Sequence, residues 1–381
     1  MRLLLFPFFI LFSIVSCGRL PEKSRLDARS SSVKLSQVVA GFNHSCAMSE
    51  AGDLKCWGGN SHGQLGIGND TESRTAVQVV GVRNVSQISA GANFNCIVTE
   101  QANVQCWGSH LFGSLGDVYA SDQLSPVHVR NVHSVQQLSA GTSHACVVTD
   151  AGTVLCWGHN LYGQLGHGVL SEVGPPTEVA GLNDVFQVSA GGIQTCALTH
   201  DRTVKCWGDN MYGQLGTRAG YYRTNPVLIS GLEGDVQIAS GISHICALTE
   251  DGLVRCWGDN LFGQLGTLLN LSSETPIEVP GLGEVVEISA KANHNCALNR
   301  YGVVKCWGEN AFGQLGGGAD GFSADPIEVI GLGNVVQIST GANHSCAMSQ
   351  SGVVQCWGGN QFGQLGDGRS EQSTNPVELL W

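Results

Sequence analysis

The chain has 381 residues, 42% hydrophobic and 13% charged, with 31 acidic side chains against 19 basic ones. That composition is ordinary globular material, enough for one large ring of repeats or two conventional domains. An acidic body repels phosphate, which argues against a nucleic-acid partner.

Residues 1–16 put Arg2 ahead of an apolar run from Leu3 to Ile14, the layout of a secretory signal and too short to span a bilayer. The next feature, Ile14-Val15-Ser16-Cys17, resembles a bacterial lipobox. The resemblance implies that Cys17 receives diacylglyceride and becomes the mature N-terminus; the rival reading is an ordinary cleaved signal with a chance cysteine. Loss of residues 1–16 leaves 31 acids against 18 bases, a net charge of −13. The expectation is an exported chain, lipid-anchored at the cell envelope, with residues 17–32 as a polar tether and 33–381 as the folded body.

From Val33 onward the period is 50. One set of cysteines stands at Cys46, Cys96, Cys146, Cys196, Cys246, Cys296 and Cys346, and a second at Cys56, Cys106, Cys156, Cys206, Cys256, Cys306 and Cys356. Each cysteine of the second set opens a Cys-Trp-Gly triplet, followed within ten residues by Gly-Gln-Leu-Gly, and Ser114 is the one departure from that element. Units of this length cannot bury a face alone, so the ring or solenoid is the folding unit. Around the third repeat, strands are predicted near Pro126 to Val129, Val135 to Ala140, His144 to Thr149 and Thr153 to Trp157. Four short antiparallel strands taken seven times make an all-β, seven-bladed propeller. Small residues at Ala40, Ala90, Ala140, Ala190, Ser240, Ala290 and Thr340 suit an innermost strand, where the blades crowd the axis. The last segment, Pro376 to Leu379, follows the final full repeat, and the reading lends it to the first blade to close the ring and remove open edges.

Between Cys46 and Cys56 the turn Glu50-Ala51-Gly52 lies midway. A three-residue hairpin with its glycine left-handed sets Cys46 opposite Cys56, within disulfide reach. Fourteen cysteines pair off in this way and the fifteenth is Cys17, so no thiol is left over, as an oxidising compartment requires. Two thiolates per blade are too few for a closed zinc site, and free buried cysteines in a cytosolic protein are the bland alternative.

Repeats such as residues 137–166, QLSAGTSHACVVTDAGTVLCWGHNLYGQLG, resemble those of the regulator of chromosome condensation family over about residues 35–380. The resemblance implies a seven-bladed propeller. It also implies an alternative function, guanine-nucleotide exchange on a small GTPase, although no local pattern carries exchange residues onto this chain, and the export signal and acidic charge oppose a nuclear role.

A feature present in all seven copies is most simply a packing requirement, which covers the tryptophans and the Gly-Gln-Leu-Gly elements. The histidines His44, His144, His244, His294 and His344 also read as packing, because Phe94 and Gln194 replace them in two copies. No catalytic signature is found, so neither enzyme activity nor a cofactor or metal is expected. The expected role is a monomeric binding scaffold for a protein or glycan. Candidate partner residues are Asp209, Asp259 and Glu309, which follow Trp-Gly in three consecutive blades, and Tyr221, Tyr222 and Arg223 in the loop 218–223, whose residue types dominate interface hot spots.

Overall fold

The computed structural model describes residues 33–117, 121–217, 220–232, 234–318 and 320–381. Cys17, the signal and the tether lie outside these residues, as do Arg218 and Ala219. Short runs of Val, Ile, Leu, Thr and Cys bounded by Gly and Asn turns become strands. Blade 1 consists of Leu35–Ala40, His44–Ser49, Leu54–Gly58 and Ser73–Gln78, paired antiparallel in that order. Six more four-stranded sheets follow, ending with the blade Val335–Thr340, His344–Ser349, Val354–Gly358 and Ser373–Glu378. The seven-bladed, all-β architecture is the expected one.

The phase of the repeat differs from the reading. Gln123–His128 pairs with Val104–Gly108 of blade 2, and the outer strand of blade 3 is Val173–Glu178. Each outer strand therefore completes the blade before it, because the loop after Trp-Gly brings the chain back antiparallel along the third strand. It follows that the C-terminal strand belongs to blade 7 and is not lent to blade 1. It still seals the seam. Ala76 N donates to Leu380 O at 3.2 Å, Leu379 packs with Trp57 in the core shared by blades 7 and 1, and the Lys55 ammonium lies 4.5 Å over the Trp381 ring.

The core sits between blades. Each of the seven Cys-Trp-Gly tryptophans is fully buried, and each packs with the cysteine pair of the preceding blade, as Trp107 does with Cys46 and Cys56. All seven disulfides are present, from Cys46–Cys56 to Cys346–Cys356, each joining directly opposed residues. Nearer the axis, side chains stitch the inner strands together. Gln37 Nε2 donates to Ile88 O at 3.1 Å while its Oε1 accepts from Ile88 N at 3.0 Å, and Gln137 repeats this with Val188. Blade 6 has Glu287 at this position; it accepts from Ile338 N at 3.3 Å, and burial pushes its carboxyl up to about 8.

The hairpin turns behave as expected. Gly52 has φ +78°, and the replacements Ala102 and Arg202 are held at +57° and +68°. A left-handed residue with a β-carbon costs roughly 1–2 kcal/mol, offset in part by the freedom glycine loses on folding. Ala102→Gly should therefore raise stability in urea denaturation by some tenths to about 1 kcal/mol; a loss would contradict the turn geometry. Arg202 makes a poorer test, since its guanidinium donates to Asp235 O at 3.3 Å.

Candidate functional site

One end of the ring carries the turns between first and second strands and the long loops between third and outer strands; we term it the loop face. The disulfide hairpins turn at the opposite end. The loops are braced from within. Asn60 Oδ1 accepts from Leu65 N at 2.8 Å, Asn60 Nδ2 donates to Asn69 O and Thr71 O at 2.9 Å each, and Gln64 Oε1 accepts from His62 N at 2.9 Å. A rigid base of this kind can hold variable tips in place.

A relay then ties each loop to the next blade. Gln64 O accepts from Trp107 Nε1 at 2.9 Å and from Asn95 Nδ2 at 2.7 Å, and His44 Nε2 meets Asn95 Oδ1 at 3.0 Å. His144 with Thr195, His244 with Asn295, His294 with Ser345 and His344 with Ser45 repeat the contact at 2.7–2.9 Å. These rings are fully buried, and burial pushes their pKa values down to about 3 or 4. They are neutral structural groups. The relay was missed from sequence, yet its signal was there: where Phe94 and Gln194 replace histidine, the partner 51 residues on is apolar, Ala145 and Ile245.

The three acids do not form an exposed arc. Asp209 and Asp259 are 2% and 8% exposed, and their carboxylates accept from Gln214 Nε2 at 2.5 Å and Gln264 Nε2 at 2.8 Å. Burial raises both pKa values. In blade 3 His159 Nδ1 lies 2.7 Å from Gln164 Nε2, in the same role. Glu309 is half-buried and accepts from Asn293 Nδ2 at 3.0 Å. A strand-end acid is thus used to brace the loop, because the glutamine five residues on offers a buried donor.

Tyr221 and Tyr222 are exposed at this same end, where Tyr222 pairs with Asp209, while Arg223 is half-buried and donates from Nη1 to Tyr222 O at 2.9 Å. They belong to a larger apolar arc over blades 3 to 6. Val169 is 61% exposed, Met211 59%, Tyr221 76%, Leu268 72% and Leu269 83%; Leu161, Leu261 and Phe322 are exposed on the same loops, and Leu111 and Phe112 of blade 2 continue the series. Polar residues such as Asp70, Glu72, Arg369 and Glu371 take the corresponding loop tips of blades 1 and 7. At the axis, Lys291 replaces the glycine found as Gly241 or Gly341, and its ammonium donates across the mouth to Ala90 O of blade 2. The cavity beside it, lined by Phe42, Gly141, Gly191, Gly241 and Lys291, has about 10 Å³, the room of a single water at most.

The model of the RCC1-like domain matches residues 16–268, and models of the regulator of chromosome condensation (RCC1) repeat match residues 251–298 and 301–348, and 285–314 and 335–364. The ring is similar to Prp20p from Saccharomyces cerevisiae, a protein with binding properties to Gsp1p and histones, with a TM-score of 0.78, 21% identity and coverage of 91% of this chain and 87% of that one. It is similar to human WBSCR16 with a TM-score of 0.76 and 25% identity, covering 86% of this chain and 93% of that one. The probable E3 ubiquitin-protein ligase HERC4 of Homo sapiens is 38% identical over 64 residues, which are 17% of this chain and 6% of that protein. The curated relatives are thus matched over a small fraction of their length.

Proposed function

The chain belongs to the RCC1-like domain family, and on that premise we propose that it is a non-catalytic binding scaffold, exported and held at a membrane of the cell envelope through lipid on Cys17, whose loop face docks a protein partner over blades 3 to 6. A propeller regulator or binder is the coarse role that the family and its fold relatives support. The observation that carries the finer reading is the apolar arc. Tyr, Met and Leu presented on the braced loops of neighbouring blades are what an interface core uses. The one-sided distribution, apolar on blades 3 to 6 and polar on blades 7 and 1, gives the partner a single orientation. Guanine-nucleotide exchange gains no residue from the geometry.

The reading is tested by photo-cross-linking in the native host from probes placed at Leu269 on the loop face and at Gly81 on the opposite face. A discrete adduct is expected from Leu269 alone, and Tyr221→Ala with Tyr222→Ala should cut its yield about tenfold or more, as hot-spot truncation does. Equal adducts from both faces, or no effect of the tyrosine variant, would contradict it.

A further inference from the structure

The loop face has a second half that the partner reading does not use. In blades 3 to 5 the residue after Trp-Gly is His159, Asp209 or Asp259, and its side chain fills the space above the bracing glutamine. Blades 1 and 7 have Gly59 and Gly359 there. The space stays open as two adjoining clefts, one of about 530 Å³ over Gly59 and one of about 300 Å³ over Gly359. Both volumes lie in the range of small-ligand sites. Phe362 lines both clefts, and Phe312 forms the far wall of the smaller one.

The floor comes from Asn43 and Asn343. Their backbone carbonyls accept from Gly59 N and Gly359 N at 2.7 Å each, but among the described residues their side-chain amides make no hydrogen bond. The corresponding residues of blades 3 to 5 are Ser143, Ile193 and Ser243; blades 2 and 6 keep the amide as Asn93 and Asn293 but set Ser109 and Glu309 over it, so amide floor and missing side chain coincide in blades 1 and 7 alone. The remaining lining is Asn, Gln, Ser, Thr and Gly, with the exposed Asp70 and Glu72 on the larger cleft.

We infer that these paired clefts bind two adjacent sugar units of a neutral oligosaccharide. A primary amide offers donors and acceptors together, as a sugar hydroxyl does, so each unspent asparagine can serve two hydroxyls at once. The apolar face of a pyranose ring lies against phenylalanine, and Phe362, common to both clefts, separates the two units. The rim carboxylates accept from further hydroxyls and repel an anionic sugar. The site meets the apolar arc only at Phe312 of blade 6 and shares none of the tyrosines, so it stands or falls separately from the protein-partner reading.

The test is isothermal titration and saturation-transfer NMR on the full-length protein with cellotetraose, maltotetraose, mannotetraose and chitotetraose, and with tetragalacturonate as the anionic control. At least one neutral tetrasaccharide should bind saturably. Phe362→Ala should weaken it about tenfold, the scale of one aromatic contact. Gly59→Asp with Gly359→Asp, which copies the filling found in blades 4 and 5, should abolish it, and Tyr221→Ala with Tyr222→Ala should leave it unchanged. Thermal melts check that the variants fold; if the aspartate pair does not, Phe362→Ala decides. Binding of none of the neutral sugars, binding of tetragalacturonate alone, undiminished binding in the cleft variants, or capture of a protein through the clefts in place of a sugar would each overturn the inference.

Discussion

Lowering the pH from 7 to 5 is expected to destabilise the ring, unfolding then taking up about three protons net. The sign follows from the five relay histidines. Their folded pKa values, about 3 to 4, lie below the usual 6.5, so the unfolded chain binds more protons and the stability they contribute is full above about pH 6.5 and lost as the pH falls. At pH 5 the loss is roughly 2 kcal/mol for each ring by linkage, or about 10 together, comparable to the whole stability of a typical domain. Glu287 and Asp235, pushed up to about 8 and about 6 by burial, oppose this, because each holds its proton better folded than unfolded. They release nearly two of the five protons the histidines take up, and the raised carboxyls of Asp209 and Asp259 act in the same direction. Urea denaturation at half-unit steps from pH 7.5 to 4.5 reads the balance directly; constant stability down to pH 4.5 would show that the rings are not held neutral.

A single break in the relay should cost about 2–3 kcal/mol, and a matched second change should recover most of it. His144 and Thr195 are both fully buried, with His144 Nε2 2.9 Å from Thr195 Oγ1, which donates in turn to Gln164 O at 2.8 Å. Thr195→Ala leaves a buried imidazole N–H unpaired, and His144→Phe leaves the hydroxyl without its donor. The double variant copies Phe94 with Ala145, the pairing that blades 2 and 3 already use. A double-mutant cycle is therefore expected to show at least about 1 kcal/mol of favourable coupling, together with an acid transition shallower by one proton. Additive losses would mean that histidine and hydroxyl act independently.

The parts legible in sequence were those that a strict period and short-range geometry dictate. Seven copies of one unit required a closed ring, and a ten-residue spacing around a glycine turn set Cys46 against Cys56 without any knowledge of the rest. The phase of the outer strand was not legible, because a circular repeat reads the same wherever it is cut and only the pairing of Gln123–His128 with blade 2 decides. Asp209 and Asp259 were misjudged because an acid at a strand end reads as solvated until the buried Gln214 and Gln264 amides are seen to need an acceptor. The clefts over Gly59 and Gly359 were hidden for a related reason. A glycine in a list of variable residues looks like a loss, and only the fold shows what the missing side chain leaves open.

Where this ring works can be read from the fifteen cysteines of the chain. We expect a chain exported before oxidation, with fourteen cysteines closed in seven hairpin disulfides and the fifteenth acylated. Non-reducing peptide mass spectrometry of the protein purified from its native host measures all three at once. The expected result is seven linked peptide pairs, Cys46 with Cys56 and so on around the ring, and an N-terminal peptide that starts at Cys17 and carries the mass of a diacylglyceride and an acyl chain, absent from Cys17→Ser. Fourteen free thiols on a chain that still begins at Met1 would contradict it and return the propeller to a reducing compartment.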